Sequence, residues 1–191
     1  TIAAATPRTG ISEVAVRFEK PRVIAAWPMP ACQAACPNGR IAAVMNVPLD
    51  EATVTDTTVR LYRCTNESCG RTALGAGPLD ATVVACPIIP SSGTDPCATT
   101  RVGDDPQIVV TPSTSDVRNT SFRVVVTHAV TSVWEVPLEG LNYDANGDGT
   151  NDAYSWTFRT RSESCEVARG AVEPATVLLR AIGERVEVRA V

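Results

Sequence analysis

The sequence predicts an all-β fold, a sandwich of antiparallel sheets. Its apolar stretches are short, rich in Val, Ile and Thr, and separated by Pro, Gly, Asn and Asp, which is the pattern of such sandwiches. The 191 residues are 44% hydrophobic and 20% charged, so the chain can bury a substantial core. A net charge of −4 gives no electrostatic reason to expect a nucleic-acid partner. No apolar run approaches the ~20 residues that membrane insertion requires.

Seven strands and one helical turn are predicted. Alternation of period two indicates that one face of a strand is buried. It is clearest in SFRVVVTH, where Phe122 and Val124 share a face, and in YSWTFRT, where Trp156 and Phe158 do. A single helical turn, capped by an aspartate side chain, is predicted near Asp50–Thr53. The predicted strands are Arg22–Trp27, Arg40–Val47, Thr58–Cys64, Ala81–Cys86, Gln107–Thr111, Ser121–Val130 and Tyr154–Thr160.

The seven cysteines predict disulfides. Six of them fall into close pairs in turn-like sequence: CQAAC, CTNESC and CPIIPSSGTDPC. Zinc sites, the alternative, usually have tighter Cys-x-x-Cys spacing and often histidine, and the only histidine here is His128. Disulfides in turn imply an oxidising compartment outside the cytoplasm. Cys165 is left over, either as a free thiol or as a partner for a cysteine outside this chain. The predicted local disulfides are Cys32–Cys36, Cys64–Cys69 and Cys86–Cys97.

The stretch NYDANGDGTNDAY at residues 142–154 predicts a calcium loop. Calcium takes six to eight oxygen ligands in flexible geometry, and the D-x-N-x-D-G-x-x-D spacing matches the first part of an EF-hand loop. Ser155 stands where an EF-hand has glutamate, and no helices flank the loop, so it is not an EF-hand. The alternative is a polar turn, because Asn-Gly and Asp-Gly form turns by themselves. The predicted calcium ligands are Asp144, Asn146, Asp148 and Asp152 by their side chains and Thr150 by its backbone carbonyl.

No catalytic pattern is present in the sequence. His128 lies in or near a strand with only Ser121 and Thr127 close in sequence, and a Ser-His-Asp arrangement depends on geometry that a sequence does not give. Neither a Gly-rich phosphate loop nor a His-Glu-x-x-His helix occurs. We therefore expect a protein that is not an enzyme.

Three stretches resemble a known family. RIAAVMNVPLDEATVTDTTVRLYRC resembles the second strand, short helical turn and third strand of bacterial Ig-like domains of the S-layer type. QIVVTPSTSDVRNTSFRVVVTHAVTSVWEVPLEG is similar to their P…L…Y-x-V-x-L region, and YSWTFRT to their closing F-x-F-x-T strand. Met45 replaces a Phe of that pattern, and the cysteine loops are additions. The resemblance spans about Pro21 to Ser162 and implies an Ig-like β-sandwich domain over residues 20–163.

Both ends resemble a second bacterial Ig-like type, the group 2 or invasin/intimin-like module. TIAAATPRTGISEVAVRF is similar to its last hairpin, and VARGAVEPATVLLRAIGERVEVRAV to its opening. Residues 1–19 are thus expected to be terminal strands of a preceding module, and residues 164–191 the first strands of a following one. The alternative is that both are extra strands of one larger sandwich. Half-modules at opposite ends would complement each other between chains and give a head-to-tail polymer.

The resemblance implies a structural or adhesive module of a secreted or cell-surface bacterial protein. Its partners would be neighbouring Ig-like modules, or identical subunits joined through the terminal strands into a surface filament. Local disulfides and the calcium loop would stabilise it. The alternative is an accessory domain of an extracellular enzyme that binds carbohydrate or another substrate. Trp27 and Trp134 are then the candidate contact residues, because Trp156 alternates into the predicted core.

Overall fold

The computed structural model describes residues 18–86, 105–114, 117–163 and 165, and the backbone of residues 172–173 and 189–190. In this part of the chain the protein is an all-β sandwich of two sheets, and its only helical structure is two 3-10 turns. The turns are Glu51–Thr53 and Arg71–Ala73. The strands are β1 (Val23–Trp27), β2 (Cys32–Ala35), β3 (Ile41–Met45), β4 (Val59–Cys64), β5 (Leu74–Leu79), β6 (Ala81–Cys86), β7 (Gln107–Pro112), β8 (Ser121–Thr127), β9 (Ala153–Thr160), β10 (Val172–Glu173) and β11 (Arg189–Ala190).

Two sheets enclose the main core. Sheet I has the strand order β1-β3-β7-β6, and sheet II has the order β2-β9-β8-β4-β5. Val124 on β8 lies opposite Leu61 on β4 and Trp156 on β9. These side chains form one buried cluster with Ile108 and Met45 of sheet I. The alternation that the sequence predicts for β8 and β9 therefore points the apolar faces of both strands inwards.

Sheet I buries side chains on both of its faces. All five residues of β3 are buried, including the consecutive pair Ala42 and Ala43. Successive side chains of a strand point to opposite faces. Ala43 belongs to the main core, whereas Ala42 packs with Val109 and Cys86 in a second buried cluster. This is why β3 and β7 are continuous apolar runs in the sequence rather than alternating ones.

Two chain segments pass directly from one sheet to the other. β1 ends in sheet I at Trp27, and the chain enters sheet II at Cys32, where β2 runs parallel to β9. Asp80 alone separates β5 of sheet II from β6 of sheet I. Strands that switch sheets in this way form the corners of a sandwich, so each lateral side of the molecule is crossed by a covalent link between the sheets.

All seven predicted strands are present, and so is the helical turn. The Asp50 side chain caps that turn by accepting a hydrogen bond from the backbone N–H of Ala52, over 3.0 Å. The prediction missed β2 and β5. β2 is short and lies within a pair of cysteines that resembles a loop, and β5 has the sequence LGAGPL, whose glycines and proline are rare inside strands. Both are edge strands of sheet II, where such residues are tolerated.

The disulfide pairing differs from the predicted one. The Cys64–Cys69 disulfide is confirmed, but Cys36 bonds to Cys165, with 5.4 Å between their Cα atoms, and Cys32 is a free thiol. The prediction of a Cys32–Cys36 pair was wrong because β2 is extended. Four strand residues separate Cα atoms by roughly 13 Å, which is beyond the ~7 Å limit of a disulfide.

Only one cysteine of the third predicted disulfide lies among the described residues. Cys86 is disulfide-bonded, while its predicted partner, Cys97, lies outside the described residues. Cys165, which the sequence left without a partner, closes a loop within the chain instead.

The predicted terminal modules lie largely outside the described residues. This applies to residues 1–17 of the segment 1–19 and to most of the segment 164–191. β10 and β11 pair antiparallel with each other and belong to neither sheet of the sandwich. The division into one central domain, residues 20–163, and two partial modules stays a prediction.

The core position of Phe122 gives the first test. Phe122 is 1% exposed and its ring stacks on Phe158. We expect Phe122→Ala to lower the free energy of unfolding by about 3–5 kcal/mol, measured by urea denaturation followed through tryptophan fluorescence. Val133→Ala is the control, because Val133 is 52% exposed and its truncation should cost no more than about 0.5 kcal/mol. Equal losses in the two variants would contradict the assigned core.

Candidate functional site

The acidic loop at residues 142–153 is closed at its base by two backbone hydrogen bonds. The Tyr143 N–H donates to the Ala153 carbonyl over 2.9 Å, and the Ala153 N–H donates back over 3.0 Å. The Asn142 side chain bonds in both directions to the backbone of Ser155. The loop is thus fixed to the start of β9 and lies on the outer face of sheet II.

Inside the loop, the predicted calcium ligands accept hydrogen bonds from the loop's own backbone. Asp144 accepts from the N–H groups of Gly147 and Gly149. Asn146 accepts from the Asp148 N–H over 2.9 Å. The Asn146 bond reaches two residues along the chain and forms an Asx turn, whereas the Asp144 bonds reach three and five residues along it. The polar-turn alternative therefore accounts for much of the composition of this loop.

Asp148 and Asp152 complete the turn network. Asp148 accepts from the Thr150 N–H over 2.7 Å and from the Asn146 amide over 3.1 Å. The bond from the Thr150 N–H and then the bond from Asn146 lower the pKa of Asp148. Asp152 reaches across the loop and accepts from the Ala145 N–H over 2.7 Å. The Thr150 carbonyl stays a predicted ligand.

The donor chemistry of the loop fits a hard cation, since carboxylate and amide oxygens keep further lone pairs after accepting one hydrogen bond each. Among the described residues, however, no three His, Cys, Asp or Glu side chains lie together closely enough to hold a metal ion. Asp144, Asp148 and Asp152 therefore do not form a three-carboxylate metal site in this conformation of the loop. The calcium interpretation stays a prediction.

Arg71 attaches the acidic loop to the segment that follows the Cys64–Cys69 disulfide. Its Nη2 atom donates to the Asn146 carbonyl over 2.7 Å. The guanidinium occupies the space beside Gly147, so a Cβ atom at that position would lie 1.5 Å from Arg71 Nη1. Gly147 also has a φ of +84°, in the left-handed region that favours glycine. A cationic side chain thus sits against a loop rich in carboxylates.

Arg123 joins three parts of the outer face of sheet II. It projects from β8, and its Nε donates to the Cys69 carbonyl over 2.8 Å while Nη1 donates to Ser155 Oγ over 2.6 Å. The guanidinium lies 4.5 Å from the centre of the Tyr143 ring, a cation–π distance. The half-buried Arg123 side chain therefore contacts the loop closed by the Cys64–Cys69 disulfide, here the disulfide loop, as well as the acidic loop and β9. Arg123, Arg71 and Tyr143 are here called the polar cluster.

Desolvation by burial is the largest cause of the pKa shifts of Arg123 and Tyr143. Desolvation lowers the pKa of Arg123, and the neighbouring Tyr143 partly opposes that shift. Desolvation likewise raises the pKa of Tyr143, with Arg123 opposing. The Tyr143 hydroxyl is buried and has no hydrogen-bond partner. Both groups keep their ordinary charge near neutral pH, so the cluster is a fixed cation on a neutral aromatic ring.

The sequence did not identify Arg71, Arg123 or Tyr143 as members of a site. Arg123 is the only charged residue in SFRVVVT, which signals that the outer face of β8 is polar. Its partners come from positions 54 and 32 residues away, and that distance hides them from local pattern analysis. His128 is exposed, and its Nδ1 lies 3.1 Å from the Asp152 carbonyl, which does not make a catalytic pair.

Comparisons of the chain with protein-family models, with curated proteins and with solved structures find no match. No helix of the described residues has both the length and the apolar character needed to cross a membrane.

The contact between Gly147 and Arg71 gives the second test. Gly147→Ala should lower the free energy of unfolding by about 1–2 kcal/mol through left-handed strain, and by about 1 kcal/mol more because Arg71 loses its bond to Asn146. Gly149→Ala is the matched control, since Gly149 has a φ of +90° and nothing within 4 Å of an added Cβ. Chemical denaturation measures both variants. In an Arg71→Ala background the difference between them should vanish, and its persistence would contradict the contact.

Proposed function

We propose that the chain is a non-enzymatic structural or adhesive module of a secreted or cell-surface protein. One observation carries the proposal: the chain enters the sandwich at one end and leaves it at the opposite end, where a disulfide fixes it. Modules with that geometry can be joined in series, because the chain leaves each module at the end opposite to the one at which it enters. The resemblance to bacterial Ig-like domains in the sequence favours the same interpretation.

The end of the sandwich where the described chain begins, here the leading end, holds Phe18 and the following residues in place. Phe18 stacks on Trp134 with 5.4 Å between ring centres. The Glu139 N–H donates to the Pro21 carbonyl over 2.8 Å, and the Glu139 carboxylate pairs with Lys20. β1 starts from this point and runs antiparallel to β3.

The opposite end, here the trailing end, holds the point where the chain leaves the sandwich. Cys165 is bonded to Cys36, and Asn38 bonds to both backbone groups of Cys165, over 2.9 and 3.1 Å. Arg161 Nη2 lies 2.7 Å from Cys165 Sγ. Side chains from both sheets meet at this end around a small cavity, among them Phe158 and Thr160 next to Cys36. β1 starts at the leading end, and β2 runs parallel to β9 until Ala35 lies opposite Thr160 at the trailing end, so the two ends lie at opposite ends of the strands.

The cysteines support a position outside the cytoplasm. Five described cysteines are disulfide-bonded, and disulfides persist in oxidising compartments and are rare in reducing ones. The polymer form of the proposal, in which terminal strands complement each other between chains, rests on the sequence resemblance, because most of the two terminal segments lies outside the described residues.

Calcium is proposed as a stabilising ion of this module rather than as a reactant. The support is the oxygen-rich loop at 144–152, whose ends are fixed to β9. Binding would draw the Asp144, Asp148 and Asp152 carboxylates towards one point and offset their mutual repulsion.

An accessory carbohydrate-binding domain is the second candidate. Trp27 and Trp134 are 42% and 43% exposed, and exposed tryptophans supply the flat apolar surface on which ligand rings stack. Trp134 already stacks on Phe18 within the chain, which leaves less of its face free for a ligand. The module interpretation is therefore favoured.

The proposed location predicts the thiol content of the native protein. The full chain, purified from an oxidising compartment and denatured without reductant, should titrate with one thiol per chain, namely Cys32. Peptide mapping by mass spectrometry should recover Cys36 linked to Cys165. Three or more thiols per chain in natively produced protein would contradict a function outside the cytoplasm.

The same preparation separates the two candidate functions. Light scattering and electron microscopy of the intact chain over a wide concentration range should show head-to-tail assemblies if the terminal strands complement each other. Saturable binding to immobilised polysaccharide, lost in Trp134→Ala or Trp27→Ala and retained in Val133→Ala, would support the carbohydrate-binding alternative instead.

The calcium proposal predicts a stability change on adding the metal. Saturating calcium at 100 times its dissociation constant should add about 2.7 kcal/mol to the free energy of unfolding, and a chelator should remove it, as measured by thermal denaturation. Asp144→Asn should abolish the calcium-dependent shift. Asp56→Asn, a change at an exposed acidic residue outside the loop, should retain it. A wild-type melting curve that calcium and chelator leave unchanged would reject the site.

A further inference from the structure

We propose that the Cys36–Cys165 disulfide limits how far the module can be extended. Tension along the chain passes through the disulfide and bypasses most of the domain. The inference deepens the proposed role as a module in series and rests on it. The connectivity that carries it does not depend on that role. It concerns how far the module lengthens when its two ends are pulled apart.

The disulfide closes a loop over almost the whole domain. Cys36 and Cys165 are 129 residues apart in sequence. Of the nine sandwich strands, the seven from β3 to β9 lie inside this loop, and only β1 and β2 lie before it. A force applied before Phe18 and after Cys165 is therefore transmitted through residues 18–36 and then across the S–S bond. The residues inside the loop carry no tension along the backbone.

The load-bearing segment already runs along the molecule from one end to the other. β1 starts beside the leading end, where the Arg22 carbonyl accepts from the Asn46 N–H over 3.3 Å. It runs antiparallel to β3, so that Val23 lies opposite Met45 and Trp27 opposite Ala42. The chain then switches sheets and continues in β2 towards the trailing end. There Ala35 lies opposite Thr160, one residue before Cys36.

The geometry limits the lengthening. Residues 18–36 span at most ~65 Å when fully extended. In the fold, much of this segment is already extended, because it forms β1 and β2. Even complete peeling of β1 and β2 from the sandwich therefore adds only a fraction of that length. Without the disulfide, the 129-residue loop would add on the order of 400 Å.

Interactions around Cys165 hold the trailing end in the required position. Asn38 bonds to the Cys165 backbone on both sides, and the Asn38 segment precedes β3, which lies inside the covalent loop. The Gly39 N–H donates to the Cys36 carbonyl over 2.8 Å. A Cβ at Gly39 would come within 2.9 Å of that same oxygen. The turn after Cys36 is therefore tight, and it places both cysteines against the end of the sandwich.

Force spectroscopy on the full chain tests the proposal, with handles joined to its two ends by peptide ligation so that no cysteine is consumed. Under oxidising conditions, we expect no unfolding step on the order of 400 Å. The Cys36→Ser/Cys165→Ser double variant should show that step. Cys32→Ser is the matched control and should behave as the wild type, because its thiol is free. Segments beyond residues 18 and 165 contribute equally to every sample.

A second measurement covers the case in which the double variant fails to fold. Wild-type chain held folded at low force is reduced in place and then pulled, and the long step should appear only after reduction. An oxidised wild-type chain that lengthens by the full amount overturns the proposal, as does a reduced chain that lengthens no further. Either result leaves the thiol count unchanged, so failure of this inference is distinguishable from failure of the proposed location.

Discussion

The packing of the inner face of sheet II against sheet I is the constraint on which the rest of the molecule depends. Phe122 and Val124 on β8, with Trp156 on β9, bury almost all of their surface in one cluster that includes Ile108 across the sandwich. A sheet gains stability mainly by removing such a face from water. Because side chains alternate, this burial also fixes the register of β8 and β9, and it leaves Arg123 on the opposite face. The position of the polar cluster on sheet II is therefore a consequence of the core.

The polar cluster shows how two irregular loops are held on a sheet without a core of their own. Irregular segments carry backbone groups that need partners when they are buried. Arg123 and Arg71 supply donors to carbonyl groups of the disulfide loop and the acidic loop, at Cys69 and Asn146 respectively. Five N–H groups of the acidic loop donate to the loop's own Asp and Asn side chains, namely those of Ala145, Gly147, Asp148, Gly149 and Thr150. Both loops thereby become part of the ordered surface of sheet II.

Local patterns in the sequence were enough to predict the class of fold and most of its strands, because burial of one face imposes a period of two that needs no knowledge of the partner strand. The Asp50 cap was predictable for the same reason, since capping acts over three residues. Pairings over long distances were not predictable. Cys36 has a nearer cysteine in sequence, Cys32, and only the extended geometry of β2 excludes it. In the candidate site, the turn-forming residues were visible in the sequence, whereas Arg71 reaches Asn146 across 75 positions.

The sheet-switching segments have a consequence for how copies of this domain behave at high local concentration. Exposed strand edges can recruit the edges of neighbouring copies and lead to aggregation. β5 offers only six residues at its edge before the chain crosses to the other sheet, and Pro78 within it has no N–H to donate. β2 is shorter still, at four residues. The two edges of sheet II, one short and the other interrupted by a proline, are therefore poor templates for strand exchange between neighbouring copies.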